Sequence, residues 1–80
     1  MNAEDWLSAY AEELGSKPPT PAELDTLLAL AGTAAHASER IAAPVACWMA
    51  ARAGVAPDDA LTLARKLGAE PEKAEQPAAP

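Results

Sequence analysis

The chain has 80 residues, enough for a single domain, and a formal charge of −6 from 12 acidic and 6 basic side chains. That balance excludes general nucleic-acid binding, which needs lysines and arginines to displace counterions, and it opposes attraction to anionic membranes. One cysteine allows no internal disulfide, no basic segment leads into an apolar run as in a signal peptide, and no stretch approaches the roughly 18 apolar residues of a membrane span, so a soluble cytoplasmic protein is expected.

The core inventory is thin. There is no Phe, one Tyr (Tyr10) and two Trp (Trp6 and Trp48), and most other apolar residues are Ala or Leu. Alanine favours helices because it loses no side-chain entropy, but it fills little volume. Helices built this way must pack closely, and a partner protein or a homodimer is expected to cover what remains.

The first helix is expected over Ala3–Leu14. Asn2 is placed to cap it, Glu4 and Asp5 complement the dipole in its first turn, and Trp6, Leu7, Tyr10, Ala11 and Leu14 form one apolar stripe. Gly15 stops it, and paired prolines at 18 and 19 hold the next residues as a loop. The second helix has the clearest start. Thr20-Pro21-Ala22-Glu23 sets a capping hydroxyl, a proline at the first helical position and a glutamate at the third, which together make a capping box. Leu24, Leu27, Leu28, Ala31, Ala34 and Ala35 mark its expected buried face, with Leu30 off that stripe. It should reach His36 or Ser38, and Gly32 inside it reads as a close contact with a neighbouring helix.

The third helix is expected over residues 41–53, with Pro44 near its start and Gly54 at its end. Ile41, Val45, Trp48, Met49 and Arg52 share one face. Ala56-Pro57-Asp58-Asp59 opens the fourth helix, whose stripe is Ala60, Leu61, Ala64 and Leu67 and whose stop is Gly68. Residues 69–80 hold only Pro, Glu, Ala, Lys and Gln, a composition unable to offset its ordering entropy, so a disordered tail is expected. Short connections between four amphipathic helices imply an all-α, compact four-helix bundle over residues 1–68.

Chemistry has few footholds. A metal site needs several converging ligands, and a nucleophilic site needs a nucleophile, a base and an orienting group. His36 and Cys47 are the only His and Cys, and the acid pairs Glu12-Glu13 and Asp58-Asp59 are adjacent and so do not face each other on a helix. No catalytic residue, metal or cofactor is expected. One corner is a candidate for binding: if the second helix persists to Arg40, His36 and Arg40 share a face near the amino end of the third helix and could hold an anion or a partner's carboxylate. The bland alternative is that Arg40 pairs with an acid such as Glu39. Both tryptophans fall on apolar stripes, so core packing is their expected role, and Trp48 with Met49 is the alternative candidate for a partner surface.

Asp5-Trp6-Leu7, Glu13-Leu14-Gly15, the leucines at 24–30, Ala35-His36, Arg40, Ala42-Ala43-Pro44 and the alanine-rich run to Gly54 together resemble a small bacterial helical domain of unknown function. That domain occurs alone or joined to the C-terminal end of proteins resembling the molybdenum-cofactor guanylyltransferase, which attaches a guanine nucleotide to molybdopterin. In the family pattern a proline often follows the arginine. Ile41 stands there in this chain, so the turn after the second helix is expected to differ. The resemblance implies a non-catalytic accessory domain with a protein partner, of which such a guanylyltransferase is the first candidate. The alternative from the residues is a small anion- or nucleotide-binding module at His36 and Arg40.

Overall fold

Local chemistry sets the helix ends. In the computed structural model, which describes residues 2–69, four helices follow in order: α1 (Ala3–Leu14), α2 (Pro21–Ala37), α3 (Ala42–Arg52) and α4 (Pro57–Ala69). The Asn2 side chain accepts the Asp5 N–H at 2.7 Å and so satisfies one free donor at the start of α1. Gly15 then takes φ 71°, and the Ser16 N–H reaches back to the Ala11 carbonyl at 2.8 Å. That left-handed turn needs a residue without Cβ, and it repeats at Gly54 (φ 75°), where the Val55 N–H bonds the Ala50 carbonyl at 3.0 Å. The capping box of α2 is complete: the Glu23 N–H donates to Thr20 Oγ1 at 3.1 Å, and the Thr20 N–H donates to Glu23 Oε1 at 2.9 Å.

The all-α, four-helix architecture expected from the sequence is the one that forms, with α3 and α4 each differing by a residue or two at their ends. α4 passes through Gly68 and ends at Ala69, because a glycine weakens a helix by only about 1 kcal/mol and does not by itself end it. Ala69, expected to begin the disordered tail, is thus helical, and the rest of that tail, residues 70–80, lies outside the described residues. No helix among those described is long and apolar enough to cross a membrane.

α2 is the centre of the fold. It packs along both α3 and α4, which touch each other only slightly, and α1 packs least against the rest. Cys47 Sγ of α3 lies 3.9 Å from the Leu27 carbonyl oxygen of α2. The Thr26 hydroxyl reaches both the Ala22 carbonyl at 3.1 Å and Asp58 Oδ1, at the start of α4, at 3.2 Å. α3 therefore runs back along α2, and α4 sets out again beside the beginning of α2.

Being covered on two sides moves the buried face of α2. Leu30, expected off the stripe, is the most buried residue at 2% exposure, while Leu28, expected inside, is 62% exposed. An arc wide enough to meet two helices centres on Leu27, Leu30 and Ala34, and Leu28 falls outside it. Gly32 also departs from expectation. A Cβ added there would meet nothing within 4 Å, so no neighbouring helix within the chain approaches it. Ala11 and Ala60, each 6% exposed, complete the buried apolar set among the described residues.

Candidate functional site

The third helix is packed in the reverse of the usual sense. Ala42, Ala43, Ala46, Cys47 and Ala50 lie half-buried on the side towards α2. Small side chains let the two backbones come close and exclude water with little volume. The large side chains lie on the opposite face: Ile41 at 73%, Val45 at 52%, Trp48 at 59% and Met49 at 58% exposure. Arg52 completes this face, its guanidinium carbon 5.0 Å from the Trp48 ring centroid, within cation–π range.

Core packing, expected for both tryptophans, does not occur. Trp6 is 52% exposed and stacks on Tyr10 with ring centroids 5.0 Å apart and an interplanar angle of 27°. The stripe read for α1 splits in two. Leu7 and Ala11 turn inward, while Trp6, Tyr10 and Leu14 stay outside. The inward edge rests on the proline loop, where Glu4, Leu7 and Ser8 line a hollow with Pro18, Pro19 and Leu24. A partner surface limited to Trp48 and Met49 therefore understates the exposed apolar face. The signal that could have shown this is the second stripe on α3: alanines recur at helical spacing opposite the large residues, and small residues suit close helix packing as well as large ones do.

The other sequence candidate is arranged differently from its premise. α2 ends at Ala37, and Ser38 (φ −140°, ψ −97°) diverts the chain while its Oγ–H donates to the Ala34 carbonyl at 2.8 Å. His36 thus closes the helix, and Arg40 follows in a turn, so they do not share a continuous helical face. Both are exposed. His36 borders a shallow hollow formed with Ala29, Gly32, Thr33 and Ala37, which does not include Arg40. At the amino end of α3 the Ala42 N–H donates to the Glu39 carbonyl at 2.9 Å and the Ala43 N–H to the Arg40 carbonyl at 3.1 Å. Pro44 has no N–H to offer. The donors that would hold an anion there are mostly in use.

Burial pushes the Cys47 thiol above its ordinary value, and its contact with the Leu27 carbonyl is that of a weak S–H donor. A thiol held protonated is a poor nucleophile. Among the described residues no group of three or more His, Cys, Asp or Glu side chains is arranged to hold a metal ion. Asp58 is engaged with Thr26, and the exposed Glu12 and Glu13 ride on α1.

A family model described as a domain of unknown function, DUF6457, matches residues 1–79. No curated protein and no solved structure matches the chain.

Proposed function

Because the chain belongs to the DUF6457 family, whose description assigns no activity, we propose a function from its surface: a non-catalytic protein-interaction domain that docks through the outer face of α3. One observation carries this reading. Ile41, Val45, Trp48 and Met49 are each more than half exposed on one helix face, with Arg52 laid over the indole. Covering apolar surface yields about 25 cal/mol per Å², and Trp and Arg are over-represented among residues that dominate binding energies. A partner helix or groove laid on this face would bury Ile41, Val45, Trp48 and Met49 together.

The resemblance read from the sequence supplies a first partner. In this proposal the domain is a cytoplasmic accessory to a molybdenum-cofactor guanylyltransferase, binding it and assisting the attachment of guanine nucleotide to molybdopterin. Titrating the purified domain into such an enzyme, with the heat of binding as the readout, tests this. Saturable binding is expected, weakened at least tenfold (about 1.4 kcal/mol) by Trp48→Ala or Met49→Ala. An enzyme that neither binds the domain nor changes rate in its presence would sink this partner.

The second reading is a small anion-binding module at His36 and Arg40. The hollow beside His36 favours it, and the occupied N–H groups of Ala42 and Ala43 count against it. Phosphate or a nucleotide at millimolar concentration should then shift amide resonances only around residues 36–43. No shift removes the reading.

A further inference from the structure

Among the described residues, α1 and α3 each leave an apolar face uncovered, and the two helices carry opposite charge. On α1, Trp6, Tyr10 and Leu14 stand exposed at four-residue spacing, and the helix carries acids (Glu4, Asp5, Glu12, Glu13) and no base. On α3 the exposed Ile41, Val45, Trp48 and Met49 are joined by Arg52, the only charged residue of that helix. Glu13 lies seven positions after Trp6, on the same side of α1. The inward edge of α1 shares a hollow with Pro18 and Pro19, and its aromatic face lies on the other side of the helix.

We propose that a second copy of this chain covers both faces, with α1 of each copy lying on α3 of the other about a two-fold axis. This inference rests on the reading of the α3 face as an interaction surface and names its occupant. Like-with-like pairing fails on charge. Two α1 helices would bring acids together with no base, and two α3 helices would offer Arg52 no acid. Crossed pairing instead brings the acids of α1, Glu13 foremost, towards Arg52 of the other copy.

Area points the same way. The seven large side chains of the two faces leave on the order of 100 Å² each uncovered, a fraction of what a buried aromatic covers. Used crossed and twice, they supply about 1,400 Å², within the roughly 1,200–2,000 Å² of a stable interface. α3 paired only with α3 would supply about 800 Å², the level of incidental contacts.

The test is sedimentation of the full chain from micromolar to millimolar concentration, with circular dichroism confirming that each variant keeps its helices. The expected result is reversible association to twice the 8.2 kDa chain mass. Arg52→Glu alone and Glu13→Arg alone should each weaken association at least about tenfold, and the double variant should restore most of it. Mixed isotope-labelled copies should show contacts between α1 of one and α3 of the other. A chain monomeric throughout, a dimer indifferent to Arg52→Glu, or charge reversal that acts only within a monomer overturns the proposal. A monomer that still binds a guanylyltransferase through Trp48 overturns the dimer and leaves the interaction reading standing. A crossed dimer that binds no such enzyme supports this inference and removes that partner.

Discussion

The inner face of α2 and the outer face of α3 are both apolar stripes at helical spacing, yet one is core and the other is surface. Leu30 on the first is 2% exposed, and Trp48 on the second is 59% exposed. The difference lies in what each helix has beside it. α2 is flanked by two helices, so its long side chains have somewhere to go. α3 has one close neighbour and meets it with alanines, so its long side chains have none. Apolar periodicity identifies a helix face that avoids water without saying whether the same chain or another covers it.

Mutating the two faces should separate them. Leu30→Ala is expected to have the largest effect, destabilising the fold by about 2–5 kcal/mol as measured by chemical denaturation. Only Ala11 and Ala60 are comparably buried among the described residues, so little else holds the core when Leu30 is truncated. Should Leu30→Ala cost less than about 0.5 kcal/mol, the level of an ordinary surface change, α2 is not the core of this fold. Thr20→Ala removes the capping hydroxyl of the central helix and should cost about 1 kcal/mol in the same assay.

Gly32→Ala should move the other way. It lies in the interior of α2 with open space around it, so a methyl group should stabilise the chain by up to about 1 kcal/mol. Destabilisation, or a loss of association without a change in the dilute chain, would mean that a partner approaches α2 at that point. Trp48→Ala should change the stability of the dilute chain by no more than about 1 kcal/mol, the value of an exposed cation–π pair. A loss comparable to that of Leu30→Ala would place Trp48 in a core and erase the contrast between the two faces.

The smallest effect concerns Cys47. Burial raises its pKa, so the folded state holds the thiol proton more tightly than the unfolded chain does. The associated stability is complete below the ordinary thiol value of 9.0 and declines as pH rises above it. Alkylation of the native chain at pH 8 should accordingly run slower than in denaturant. Equal rates would place Cys47 on an open surface.

Much of this protein was legible in advance. The four helices, the Thr20–Glu23 capping box and the glycine turns at 15 and 54 follow from interactions within a few residues of one another, which sequence spacing encodes directly. The candidate site was legible only in part. Trp48 and Met49 stood out as large apolar residues on one face, but their exposure depends on which side of α3 meets α2. The relation of His36 to Arg40 turned on whether α2 continues for another turn, and the chain leaves the helix at Ser38, where φ is −140° and ψ −97°. Leu30 and Leu28 exchanged roles because α2 is covered on two sides, a fact no single helix contains.

By itself, then, the sequence determined the four helical segments, the caps of α1 and α2 and the large apolar face of α3, because those depend on local hydrogen bonds and on the 3.6-residue period of the helix. Tertiary structure alone decided that alanines make the contact between α2 and α3 and that the tryptophans face outward. Packing is a choice between faces of comparable apolarity. Helices that bring their backbones close through small side chains leave the large ones for a surface outside the chain.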